Sequence, residues 1–185
     1  FDKLLIGFHF EGKEYEVLAN FEKADGFNII ETPKTFVAQS LNTINVELKN
    51  FFVKQKDIVS SNDIGNYTRN KSLSKTIHYS LYGLGLGVLK DIENEELKNY
   101  SKKLLKQQKK KFLKSNNPDE LDYLRVELFE IVLNMITTAM INYGGKSILR
   151  EKNLQRYYRE LIMFNSNGLN QKIKNLFLTR FKSTF

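Results

Sequence analysis

Apolar residues recur every second position over the first sixty residues and every third or fourth position thereafter, and this change of period constrains the chain more than any other feature. Leu4, Ile6, Phe8 and Phe10 fall on one face of an extended segment, Glu11-Gly12-Lys13 supplies a turn, and Tyr15 and Val17 resume the alternation. That pattern predicts a β-hairpin over residues 3–19. Ile44, Val46 and Leu48 repeat it before Lys49-Asn50 and the apolar group Phe51 to Val53. The first sixty residues therefore read as mostly β.

Ser60-Ser61-Asn62-Asp63 marks the change. Leu73, Ile77, Leu81, Leu84 and Val88 then recur as the buried stripe of a helix. In a second helix Leu97, Tyr100, Leu104, Gln108 and Phe112 are expected to point inward, while Lys98, Lys102, Lys106, Lys110 and Lys114 line another face. Asn117 as cap, Pro118 at the first helical position and Asp119-Glu120 in the first turn start a third helix. Its two adjacent stripes, Leu121 through Ala139 and Phe129 through Tyr143, make the apolar arc wide and the helix central. Gly144-Gly145 ends it. A fourth helical region begins near Asn153, Asn165-Ser166-Asn167-Gly168 interrupts it, and Leu169, Ile173, Leu176 and Phe177 outline a last segment. The expectation is an α+β fold: an antiparallel β-segment over 1–62 followed by an up-and-down antiparallel bundle of four to five helices over 63–185.

Composition limits the chemistry. The 185 residues include no cysteine, which removes disulfides, thiolate ligands and cysteine nucleophiles. Only His9 and His78 are present, far apart, so no metal site is expected. His78 lies beside an apolar stripe and reads as a core or boundary residue rather than a base. The lack of cysteine fits a cytoplasmic location, and the most apolar stretch, Leu128 to Tyr143, contains Glu130 and Asn134 and is shorter than a bilayer span, so no membrane segment is expected. The beginning, Phe1-Asp2-Lys3-Leu4, has neither an initiator methionine nor the order of a secretory signal and reads as an internal cut.

A formal charge of +8 favours anionic partners without choosing among them. The lysine face most simply reads as solvated helix surface; no motif for reading RNA or DNA accompanies it, so nucleic acid is not an expected partner. Gly83-Leu84-Gly85-Leu86-Gly87 fails the dinucleotide-loop spacing at Val88 and follows no strand. Gly83 and Gly87 are instead expected to let a neighbouring helix approach.

Two stretches carry a resemblance. Tyr143-Gly144-Gly145-Lys146-Ser147-Ile148-Leu149-Arg150-Glu151-Lys152-Asn153-Leu154-Gln155-Arg156-Tyr157-Tyr158-Arg159-Glu160 is similar to the Gly-Gly helix end, short connection and Leu-Gln-Arg…Arg-Asp helix of the acyl-CoA dehydrogenase superfamily, in particular the type-2 C-terminal domain shared with flavin-dependent monooxygenases. Glu160 stands where Asp is usual. Asn42 to Val53 resembles the last strand of that family's middle β-domain, and Leu81-Tyr82-Gly83-Leu84-Gly85 falls where its first C-terminal helix lies.

The resemblance implies a fragment of an FAD-dependent oxidoreductase that lacks the N-terminal part. It further implies self-association as a dimer or tetramer through the helices, and an acyl-CoA or small aromatic substrate. It nominates Tyr143, Gly144, Gly145, Arg156 and Arg159 as flavin-contacting residues. Each nomination has an ordinary counterpart. The glycines either terminate a helix or expose N–H groups to a phosphate, the arginines either bind phosphate or form an inter-helix salt bridge, and one of Tyr157 and Tyr158 packs inward. Where dehydrogenases of the family carry a Glu base, and several monooxygenase-like members a His, this chain has Phe164-Asn165-Ser166-Asn167-Gly168. None of these titrates near neutral pH, so no catalytic residue is assigned. The alternative is a non-catalytic assembly or binding module of the same fold.

Overall fold

A computed structural model describes residues 3–20, 26–31, 44–64, 73–149, 152–166 and 171–184. The chain forms two compact units, Phe1–Asn70 and Lys71–Phe185. The order, antiparallel strands and then an antiparallel set of five helices, is the expected one.

In the first unit, β1 (Lys3–Phe10) and β2 (Lys13–Asn20) pair antiparallel from Lys3 opposite Asn20 to Phe10 opposite Lys13. Glu11 and Gly12 both have positive φ, 47° and 76°, the geometry of a two-residue turn whose twist matches that of the strands. The alternation works as read for Leu4, Ile6 and Phe8, with Phe8 stacked on its cross-strand partner Tyr15 at 5.4 Å, whereas Phe10 at the turn is exposed. Two further strands, β3 (Phe27–Glu31) and β4 (Asn45–Leu48), make a separate antiparallel pair. Gly26 closes that pair: its φ is +85°, its carbonyl accepts the Lys49 N–H at 2.8 Å, and a Cβ there would lie 2.2 Å from the Lys49 oxygen. Only glycine fits.

Two readings need correction here. Ser60-Ser61-Asn62-Asp63, taken as the punctuation ahead of the helices, lies in a fifth strand, β5 (Ile58–Asp63), which pairs antiparallel with β2 across a bulge at Glu16/Val17. Polar side chains suit this strand because its partners are polar too: Ser60 Oγ donates to the Glu16 carboxylate at 2.8 Å directly opposite. Accordingly β4 is not the last strand. Val17 and Ala19 of the central strand are the buried residues of this sheet.

The second unit consists of α1 (Thr76–Asp91), α2 (Glu95–Lys114), α3 (Pro118–Tyr143), α4 (Asn153–Ser166) and α5 (Gln171–Thr184). Asparagines start two of them. The Asn94 side chain accepts the Leu97 N–H at 2.9 Å, and Asn117 accepts from Asp119 and Glu120 at 2.8 and 3.4 Å, with Pro118 entering the helix as expected. Gly144, φ +69°, stops α3 and returns its N–H to the carbonyls of Met140 and Ile141. A 3-10 turn, Gly144–Ile148, follows.

The wide apolar arc of α3 makes it the centre. Leu121, Leu124, Val126, Leu128, Phe129, Val132, Met135, Ile136 and Ala139 are buried, and the helix packs on α1, α2, α4 and α5. Burying one such aliphatic or aromatic side chain contributes about 1.5–3 kcal/mol, and α3 supplies more of the unit's buried hydrophobic residues than any other helix. From α2, Leu97, Ser101, Leu105, Gln108 and Phe112 face the core. Leu105, not Leu104, is fully buried, and Tyr100 points to solvent at 61% exposure. The one-residue shift turns the stripe without changing its period. Leu73, read as the first residue of the α1 stripe, precedes the helix and is exposed.

The glycines of α1 also divide differently from expectation. Gly83 has open space where a Cβ would be. Gly85 sits against Leu105 and Val132, where a Cβ would lie 2.9–3.2 Å from their methyls, and Gly87 against the Tyr157 ring at 3.2 Å. Gly85 and Gly87 are the close-approach positions. Gly83→Ala should therefore stabilise by up to about 1 kcal/mol through helix propensity, whereas Gly85→Val should cost about 1–3 kcal/mol by overpacking; urea denaturation of the two variants measures both signs.

Candidate functional site

The end of α1, the end of α3 and the start of α4 meet at one corner of the helical unit. Because α3 runs antiparallel to α4 and α4 antiparallel to α1, Tyr143, Asp91 and Asn153 are brought together from distant parts of the sequence. The Tyr143 hydroxyl donates to Glu93 Oε1 at 2.8 Å, and Asn153 Nδ2 donates to Asp91 Oδ1 at 3.4 Å. The other Asp91 oxygen is buried without a partner among the described residues. Two small cavities flank Tyr143. One, of about 250 Å³, reaches Lys90, Ser147, Lys152 and Leu154; the other, of about 300 Å³, reaches Ile92, Leu97 and Ala139. Asp91, Glu93 and Tyr143 line both.

The electrostatics of the corner are mixed. Carbonyl ends of α1 and α3 carry negative partial charge here, reinforced by Asp91 and Glu93, while Lys90, Lys152 and the amide end of α4 offset it. The hydrogen bond to Glu93, and then its charge, hold the Tyr143 phenol above its ordinary range, since a phenolate would face a carboxylate.

Of the five nominated residues, Tyr143, Gly144 and Gly145 are contiguous at this corner. A Cβ on either glycine would meet nothing within 4 Å among the described residues, although the Gly144 N–H is already given to Met140 and Ile141. Arg156 and Arg159 lie on α4 and line neither cavity. Arg156 pairs with Glu160 at 3.5 Å within its own helix and lies over the Tyr157 ring at 5.2 Å, so its salt bridge is intra-helical rather than between helices. Arg159 is half-buried. Both Tyr157 and Tyr158 pack against the core. Phe164 does too, while the side chains of Asn165 and Ser166 and the whole of Asn167-Gly168 lie outside the described residues.

Sequence reasoning missed Asp91, Glu93 and Asn153. An acid closing α1 was a usable signal, because a carboxylate at a helix C-terminus opposes the dipole and asks for a partner elsewhere. His78 is a core residue: it is 4% exposed and its Nε2 lies 2.8 Å from the Leu121 carbonyl. On α2, Lys102, Lys103, Lys106 and Lys110 flank a shallow groove with Asn99 and Gln107. Lys98 pairs with Glu95 at 3.4 Å and Lys111 with Glu127 at 3.0 Å. Among the described residues no His/Asp/Glu group could hold a metal ion, and no helix is long and apolar enough to cross a membrane.

The fold is that of the acyl-CoA dehydrogenases and related flavoproteins. A Mycobacterium smegmatis protein described as an acyl-CoA dehydrogenase superposes with a TM-score of 0.71 at 11% identity, covering 99% of this chain and 56% of that one. The structure of the electron transferring flavoprotein of Acidaminococcus fermentans gives 0.73 at 9% identity, covering 95% and 55%. The 3-HSA hydroxylase from Rhodococcus sp. RHA1 gives 0.66 at 10%, covering 96% and 58%. The chain thus spans a little over half the length of each of these. No family model and no curated protein matches the sequence. At such identities the acyl-CoA dehydrogenase-like likeness is one of fold, and residue roles must come from this chain's own geometry.

Glu93→Gln removes the charge that holds the Tyr143 proton. The Tyr143 ring resonances, followed by NMR against pH, should titrate at lower pH in Glu93→Gln than in the parent protein; an unchanged titration would mean that the hydrogen bond does not form in solution.

Proposed function

We propose that this chain is the C-terminal part of an FAD-dependent oxidoreductase of the acyl-CoA dehydrogenase-like class, acting on an acyl-CoA or a small aromatic compound. The supporting observation is the fold, which aligns over nearly the whole chain with dehydrogenase, hydroxylase and flavoprotein structures. Bound FAD would supply the electron-transfer chemistry. The residues nominated to hold it are Tyr143, Gly144, Gly145, Arg156 and Arg159. Gly144 and Gly145 fit this role because no side chain among the described residues lies where their Cβ would be, and guanidinium groups give two-point contact to phosphate. The helical unit is proposed to self-associate as a dimer or tetramer, in a cytoplasmic setting.

The segment Phe164-Asn165-Ser166-Asn167-Gly168 bears on the reaction. Abstraction of a carbon-bound proton requires a group whose pKa can be brought near 7. Phenylalanine, asparagine, serine and glycine do not provide one, so oxygenation carried by the flavin fits this chain better than α,β-dehydrogenation. The same segment is the specific observation that favours the second reading, an assembly or binding module that has lost its chemistry.

Titrating the purified full chain with FAD separates the two. The flavoenzyme reading expects saturable uptake with flavin absorbance retained through gel filtration, and a weakening of about tenfold or more, worth about 1.4 kcal/mol, in Gly144→Val. A protein that stays colourless in excess FAD while running as a defined oligomer sinks the flavoenzyme reading and leaves the assembly module.

A further inference from the structure

Arg125 occupies an unusual position for a guanidinium. It lies in the middle of the core-facing stripe of α3, 8% exposed, between the buried Leu124 and Val126. No carboxylate among the described residues forms an ion pair with it. Asp122, one turn earlier on the same helix, acts on it only through space, and burial pulls its pKa down. Its Nη2 donates to the Phe164 carbonyl at 3.3 Å, and its Nε is buried without a partner among the described residues.

That carbonyl belongs to the last turn of α4, whose final four carbonyls have no intrahelical N–H to accept from. A cation at a helix C-terminus also complements the dipole. The contact therefore gives α4 a C-terminal cap that comes from another helix. The chain could have ended α4 on water; instead it buries a charge in the core to hold that end. A buried guanidinium is costly unless it is paired or hydrogen-bonded, and here the Phe164 carbonyl supplies a bond.

Near Arg125 lies a buried imidazole. His78, on α1, has its Nε2 within 2.8 Å of the Leu121 carbonyl, so Nε2 carries the proton and donates, which leaves Nδ1 as a bare acceptor. Nδ1 is buried and has no partner among the described residues. The Phe112 ring of α2 covers the imidazole at a centroid distance of 5.5 Å. The charged groups that act on it are Lys75 before α1, whose ammonium is engaged by the Leu113 carbonyl at 2.9 Å, and Asp122 and Arg125 on α3. Protonating Nδ1 would place an N–H without an acceptor among the described residues, and a second positive charge, near a buried guanidinium.

We propose that Arg125 is the positioning residue that fixes the C-terminal turn of α4, and that His78 makes this hold acid-sensitive, so that the turn loosens when His78 takes up a proton. The proposal rests on contacts within the helical unit and not on flavin binding. Under the flavoenzyme reading its consequence is specific: the turn leads into the segment Phe164 to Gly168, where the resemblance puts the base of related enzymes.

Burial, the largest influence, lowers the His78 pKa in the folded protein below its ordinary value of about 6.5, partly opposed by the bond to Leu121. The folded state then binds fewer protons than the unfolded one, so stability is complete above about pH 6.5 and is lost as pH falls from there towards the folded pKa.

Hydrogen exchange of the full chain, corrected for the intrinsic pH dependence of exchange, tests this. Amides in the last turn of α4 should lose protection below about pH 6.5, by at most about tenfold per pH unit, the limit for one proton. His78→Gln keeps a donor for Leu121 and should abolish that pH dependence. Arg125→Met should leave the α4 end exchanging several-fold faster at neutral pH, with α2 amides unaffected. The proposal fails if His78→Gln retains the pH dependence, or if Arg125→Met leaves the α4 end protected. Should either variant fail to fold, NMR titration of the unaltered protein still decides: a His78 ring that titrates at or above about 6.5, or that titrates without any change at the α4 end, overturns it.

Discussion

Everything in the helical unit depends on α3 being apolar over most of its circumference. Amphipathic helices such as α2 and α4 each pack on α1 and α3, but only α3 is buried on enough sides to hold α1, α2, α4 and α5 at once. The fully buried residues of α3, Leu128, Val132 and Ile136, recur at spacings of four, and Leu121 and Val126 extend the same core towards its N-terminus. Around that axis the others find their places by subtraction. Gly85 and Gly87 bring α1 close enough for Leu105 and Tyr157 to lie against its backbone, and Phe129 meets Phe177 of α5 edge-on at 5.3 Å.

This explains which parts of the architecture were legible in the sequence. Helices reveal themselves by a stripe that repeats, and α3 repeats for seven turns with an Asn-Pro-Asp-Glu start and a double-glycine end. Short strands have no such redundancy. The last strand, β5, is built from Ile-Val-Ser-Ser-Asn-Asp, whose polar half is a turn composition by every local rule; only its pairing with Glu14 and Glu16 of β2 makes it a strand. Similarly, Leu104 and Leu105 are equivalent to any periodicity argument, and the choice between them falls to Gly85, which leaves room for one of the two.

The corner was legible only in part, for a related reason. Tyr143, Gly144 and Gly145 announce themselves as a helix end. Their neighbours Asp91, Glu93 and Asn153 lie fifty residues upstream and ten downstream, and no local pattern joins them. Arg156 and Arg159 illustrate the opposite failure, a spacing that suggests a shared role. In the structure, however, Arg156 turns to Glu160 and Tyr157 on its own helix while Arg159 is half-buried. A spacing of three places two side chains on one face without making them serve one ligand.

Arg125 and His78 bring these threads together. His78 was legible as a core or boundary residue beside an apolar stripe, whereas Arg125 sits among buried hydrophobes, where no periodicity singles out a charge. A core helix that needed only cohesion would be better served by leucine at position 125, since replacing a buried charge by a packed hydrophobe is often neutral or stabilising. What leucine cannot do is reach a carbonyl at the end of another helix and hold it. The guanidinium's bond to the Phe164 carbonyl is what ties α3 to the last turn of α4. An imidazole with an unfilled nitrogen next to that guanidinium makes the restraint conditional on proton concentration, which a purely apolar core of the same shape could not be.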